Sequence, residues 1–189
     1  MRFLDTLLGR SRPTPPKLDT LFALPSAAIT LEAGAGLRPS GHGAVAYKPA
    51  SGQAFSTVGD EVAELLALSA GQSGSELRNE TDRYGYHWIV VDDPEIEDLV
   101  GSVHLVNSTM EDRGFGNQLL CSMFGFDDGK GSRLFLVYLS KRGTFYPFAP
   151  QSEERRDNEL ELRVRGLLGA DLPVEADLAR WFPLWGVPI

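Results

Sequence analysis

A single cysteine, Cys121, stands among 189 residues, so no internal disulfide can form and a reducing compartment is expected. Its neighbours in LLCSMF are apolar apart from Ser122, and the expected role is a small buried side chain in a strand rather than a nucleophile. Nowhere do about 18 apolar residues run together, so no membrane-spanning helix is predicted. The opening MRFLDTLLGRSRP has an apolar part too short and too interrupted for a signal-peptide core, and a cytoplasmic protein is expected. Basic residues are outnumbered, 18 Lys and Arg against 26 Asp and Glu, and the net charge of −8 opposes general nucleic-acid binding, which needs a positive field. The three histidines, His42, His87 and His104, lack metal-ligand spacing. The GFG at 114–116 and the GHG at 41–43 do not continue into a phosphate-binding pattern, and no GxSxG elbow is present. The acidic pairs Asp92-Asp93, Asp127-Asp128 and Glu153-Glu154 sit at expected helix starts and a turn, where carboxylates serve capping. No catalytic residue, metal or cofactor is therefore assigned.

What is present is enough apolar sequence, 42%, for one well-buried core. Residues 1–9 show apolar residues at helical spacing, and SRPTPPK at 11–17 reads as a semi-rigid proline linker. The predicted organisation is an appended segment over 1–17 and one domain over 18–189. LDTLFALP predicts a short helix stopped by Pro25, followed by strands near Ala27–Glu32 and Gly43–Lys48 with a glycine-rich loop between them. Thr57 is the expected cap of a helix carrying Val62, Leu65 and Leu66. GQSGSELRNETD is read as an exposed connection. YGYHWIVV at 84–91 has the aromatic and β-branched residues of a strand. Asp93 and Pro94 then open a long helix with Ile96, Leu99, Val100, Val103, Val106 and Met110 on one face, stopped at Gly114. Two strands flank the DDGKG turn, and a third, with Pro147, belongs at a sheet edge. RRDNELELRVRGLLG is read as a helix through the pairs Glu159 with Arg163 and Glu161 with Arg165. A last short helix carries Val174, Leu178 and Trp181. Runs of antiparallel strands mixed with helices predict an α+β fold, a mostly antiparallel sheet with helices packed on it in two layers. This order is similar to the fold of bacterial secretion chaperones.

Two regions are candidates for contact with partners. Lys141, Arg142, Tyr146, Arg155 and Arg156 form a basic and aromatic region around FYPFAP, and the tail RWFPLWGVPI adds Trp181 and Trp185. The competing expectation for both is burial of the aromatic rings within the chain's own core. The first residues offer a second candidate: Phe3, Leu4, Leu7 and Leu8, flanked by Arg10 and other basic residues, suit shallow contact with an anionic membrane surface.

The blocks FLDTLLGRSRPTPPKLDTLFALPSAAITL, YGYHWIVV, NSTMEDRGFGNQLLCSMFGF, FLVYLSKRGTFYPFAP, RRDNELELRVRGLLG and DLARWFPLWG together resemble the bacterial PspA-associated PspAB family. The resemblance implies association with PspA, the coiled-coil protein of the phage-shock response at the cytoplasmic face of a stressed membrane. It carries no catalytic residue set. The expected function is that of a non-enzymatic accessory protein acting as a binding platform, with peripheral membrane contact as the alternative and a hydrolase or nucleotide-binding protein, which would need a deep polar pocket, as the third.

Overall fold

The computed structural model describes residues 18–48, 64 and 75–189. A 3-10 turn, Leu18–Ala23, leads into helix α1, Leu24–Ala35. Strand β1, Arg38–Tyr47, follows. After residue 75 come β2, Glu76–Thr81, β3, His87–Asp92, and the long helix α2, Ile96–Asp112. Strands β4, Leu119–Asp127, β5, Arg133–Leu139, and β6, Thr144–Phe148, run consecutively. Helix α3, Asn158–Leu168, and a 3-10 turn at Leu178–Arg180 complete the order. All the described strands pair antiparallel in one sheet ordered β2-β3-β1-β4-β5-β6. The fold is α+β.

The strands of the sheet's middle read as almost unbroken apolar runs because both faces of the sheet are covered. Alternate side chains go to opposite sides. Val45, Ile89, Val91, Phe124, Phe126, Leu134, Leu136 and Tyr138 meet the helices, where Leu24, Leu31, Leu99, Val103, Val106 and Val164 are fully buried. Ala44, Ala46, Trp88, Val90, Cys121, Met123, Phe135, Val137, Tyr146 and Phe148 face the other way, under the C-terminal tail that contributes Trp181, Leu184, Trp185, Val187 and Ile189. Helices thus cover one face and an irregular tail the other.

Several expectations are corrected. The strand expected at 27–32 is part of α1, and Pro25 opens that helix instead of stopping it. In the first turn the missing proline N–H costs no hydrogen bond. Gly36, at φ 71°, ends α1, and the loop expected over 34–43 is already β1 from Arg38. The irregular register of β1 against β4 between Pro39 and Gly43 accommodates the glycines there. The exposed connection at 71–82 contains β2, whose polar residues suit an outer strand; its residues are mostly exposed. Residues 84–86 precede β3 rather than forming its start. α2 starts at Ile96, with Asp93 Oδ1 accepting from the Glu95 N–H at 2.9 Å just upstream. Its buried face is the expected one. The pairs expected to hold α3 give way to longer links: Glu161 turns inward to Arg156 Nε at 2.9 Å and the Ala149 N–H at 2.8 Å, and Arg163 reaches the Gly34 carbonyl of α1 at 2.6 Å. The expected last helix is only a 3-10 turn, because Val174 pairs as an isolated bridge with Phe145. The helix expected after Thr57 lies outside the described residues, apart from Glu64, which is helical.

Candidate functional site

The tail is fastened to the sheet by side chains that the sequence marks as basic and aromatic. Arg142 donates to the Glu175 carboxylate, with Nη2 3.3 Å from Oε1, and Thr144 Oγ1 donates to Oε2 at 3.1 Å. Arg156 spans Glu161 and the Trp181 carbonyl. Trp181 Nε1 donates to the Glu175 carbonyl at 3.0 Å, and the Tyr146 hydroxyl to the Phe182 carbonyl at 3.0 Å. At the far end Arg78 and Arg133 donate to the carbonyls of Pro188 and Ile189 at 3.0 and 2.7 Å. Five of the expected contact residues, Arg142, Tyr146, Arg156, Trp181 and Trp185, therefore gather under or along the tail. Tyr146 and Trp181 are buried. Lys141 is exposed at the β5–β6 turn and donates to the Asn117 carbonyl at 3.1 Å, while Arg155 is exposed beside α3. Phe3, Leu4, Leu7, Leu8 and Arg10 lie outside the described residues.

Between the tail and one end of the sheet is a cavity of about 430 Å³, within the size range of ligand and side-chain pockets. Trp88 of β3, Cys121 of β4 and Tyr146 of β6 form part of its floor, Tyr84 and Tyr86 stand on one side, and Phe182 and Trp185 of the tail on another. Tyr84 and Phe182 are more than half exposed, at 57% and 58%, so the mouth presents aromatic surface to solvent. Among the described residues Asp82 is the one carboxylate on the lining, and no Lys, Arg or His lines it.

Asp82 organises the turn that carries these rings. Its Oδ1 accepts the N–H groups of Tyr84 at 2.8 Å and Tyr86 at 3.0 Å, and its Oδ2 accepts Trp88 Nε1 at 3.0 Å. This is the local side-chain to backbone bonding to which Asp is suited, and Gly85, at φ 80°, takes the left-handed position that lets the chain return. Arg83 beside it lies over the Tyr84 ring, 4.9 Å from the centroid, and pairs with Glu154. The sequence signal for this turn is the aspartate ahead of Tyr-Gly-Tyr in TDRYGYHW, but the expected connection ends at Asp82 and the expected strand begins at Tyr84, which divides the turn between them.

The two groups on the cavity floor with reactive hydrogens are both kept neutral. Burial pushes the Cys121 thiol up to about 12. Burial also raises the Tyr146 phenol well above its usual range, consistent with its hydroxyl acting as a donor. Among the described residues no three His, Cys, Asp or Glu side chains gather as metal ligands, and no helix is long and apolar enough to cross a membrane. A separate polar group lies at the far end of β3, where His42 Nδ1 is 2.6 Å from Asp92 Oδ1 and Arg78 pairs with the same carboxylate.

The family model for PspA associated protein B matches residues 1–189, the whole chain. The chain belongs to the PspAB family. That membership points to an accessory role with PspA. No curated protein and no solved structure matches this PspAB chain.

Proposed function

We propose that this PspAB protein is a non-enzymatic, cytoplasmic interaction protein that binds PspA directly, with the tail-covered face of its sheet as the platform. The observation that carries the reading is the aromatic cavity whose mouth leaves Tyr84 and Phe182 exposed. Aromatic residues around a concavity are what a protein interface uses as anchors, and exposed apolar surface of this kind marks contact sites. The basic residues once expected to meet a partner have another task in this reading. Arg142 and Arg156 hold the tail in place, so the platform is shaped before any partner arrives and little ordering is needed on binding.

Size-exclusion chromatography with light scattering, on the purified chain alone and mixed with PspA, tests this. A co-eluting complex that Tyr84→Ser and Phe182→Ser weaken is the expected result. Separate elution of folded partners would overturn direct binding. Vesicle binding lost on removal of residues 1–12, with no PspA complex, would favour the membrane-contact alternative.

A further inference from the structure

We propose that the cavity seats a basic side chain, an arginine, of the docked partner segment. This rests on the reading of the tail-covered face as a protein-binding platform and names the chemistry that the platform selects.

The charge on the lining decides between ligand classes. Among the described residues Asp82 is its one carboxylate, and none of them on the lining is a cation at neutral pH. The neighbouring Arg83 does not offset Asp82, because it is paired with Glu154; the three charges together leave one negative. A phosphate or carboxylate would therefore meet repulsion and no countercharge. A neutral hydrocarbon group fits the walls but leaves the Asp82 charge facing apolar surroundings without a cation, an unfavourable arrangement. A cationic side chain satisfies both features. Its apolar stem lies along Phe182 and Trp185, and its head meets the faces of aromatic rings, which attract cations, beside a carboxylate.

Hydrogen-bond counting agrees. A carboxylate has about four acceptor sites, and the two Tyr N–H groups and Trp88 Nε1 use three, two of them on Oδ1. Acceptor capacity remains on Oδ2 for one further donor. Arginine suits this site better than lysine, because its planar guanidinium stacks on rings and is more weakly hydrated, so less solvation is lost on entry.

The test uses the full chain and its own tryptophan fluorescence, since Trp88 and Trp185 line the cavity. Three blocked tripeptides are titrated: acetyl-Leu-Arg-Leu-amide, the same peptide with citrulline as a neutral isostere, and the same with glutamate. The arginine peptide is expected to bind saturably and at least about tenfold more tightly than the citrulline peptide, with no binding by the glutamate peptide. Asp82→Asn is expected to bring arginine and citrulline together. Because Asp82 also shapes its turn, the comparison of peptides on the unsubstituted chain decides the matter if that variant does not fold. Equal binding of arginine and citrulline peptides, or no saturable binding of the arginine peptide, overturns the inference. Saturating arginine peptide is also expected to displace PspA. A PspA complex that survives it overturns the inference and leaves the platform standing, whereas failure to form any PspA complex overturns the platform and leaves the peptide comparison to judge the cavity.

Discussion

Arg142 grips the Glu175 carboxylate across 33 residues of chain, with Nη2 3.3 Å from Oε1. Glu175 is 2% exposed, and this contact, with Thr144 and the Asp177 N–H, joins the β5–β6 turn to the start of the tail. Burial pushes the Glu175 carboxyl up, but the bonds from Arg142, the Asp177 N–H and Thr144 prevail and hold it below its ordinary value. A carboxylate with a lowered folded pKa adds stability that is present above its unfolded value and is lost as pH falls through the folded one.

Arg142→Met removes the cation and leaves a buried carboxylate with fewer donors. The expected cost is about 1–3 kcal/mol at neutral pH, read from urea unfolding. The acid side of the pH dependence should also become shallower. In the original chain the Glu175 contribution declines as pH falls below the ordinary glutamate value of 4.5. In the variant the bonds from the Asp177 N–H and Thr144 still oppose burial, so the folded pKa moves up towards its ordinary value and less stability is lost as pH falls. A variant with unchanged stability and the same acid slope would show that the contact does not hold the tail.

Cys121 is expected to resist alkylation in the native state. Its thiol is pushed from 9.0 to about 12 by burial, and the thiolate is the reacting species. At neutral pH its thiolate population is about a thousandfold below that of a free cysteine with the starting value. Iodoacetamide labelling followed by mass should be slow in buffer and fast in denaturant. Rapid native labelling would mean that the cavity floor is open and the thiol ionised.

A buried polar tie joins the long helix to the sheet. Asn107 Nδ2 donates to Ser122 Oγ at 2.8 Å and to the Val103 carbonyl at 2.9 Å, and both residues are fully buried. Asn107 Oδ1 has no hydrogen-bond partner, so the tie is only partly satisfied. Ser122→Ala and Asn107→Ala should each destabilise, and the double-mutant cycle should return a coupling of about 1 kcal/mol. Additive effects would show that the bond contributes nothing beyond packing.

Much of this architecture was legible in the sequence, and the misses share a cause. The face of α2 follows from Leu99, Val103, Val106 and Met110 at helical spacing, and the β4–β5 turn from Asp-Gly, because both signals are local. The stretch 27–32 points to a strand because AAITLE contains a β-branched pair and carries no strong helical stripe; its helix is held by Leu24, Ala27, Ala28 and Leu31 against the core, which is tertiary information. β2 resembles a connection in sequence because an outer strand needs little apolar sequence. The site was half visible. Arg142, Tyr146, Arg156 and Trp181 were singled out for their type, but type could not say that the arginines would turn inward to Glu175 and Glu161. Asp82 and Tyr84 were passed over because their importance comes from the turn that brings them opposite Phe182, some hundred residues along the chain.

Phe182 offers the sharpest separation of binding from folding. It is 58% exposed and its backbone carbonyl, not its ring, receives the Tyr146 hydroxyl. Truncating the ring therefore removes surface at the cavity mouth without removing the bond that fixes the tail. Phe182→Ser should change stability by no more than about 0.5 kcal/mol, as surface substitutions do, yet weaken the PspA complex by about tenfold or more if the ring is an interface anchor. Tyr146→Phe supplies the complementary case: it keeps the ring and deletes the bond, so it should cost about 0.5–1.5 kcal/mol of stability with a smaller loss of binding. Unfolding and binding measured on both variants give a crossed pattern if the mouth of the cavity is the platform. Parallel losses in both would mean that the tail serves only to stabilise the sheet, and that PspA, if it binds, does so elsewhere.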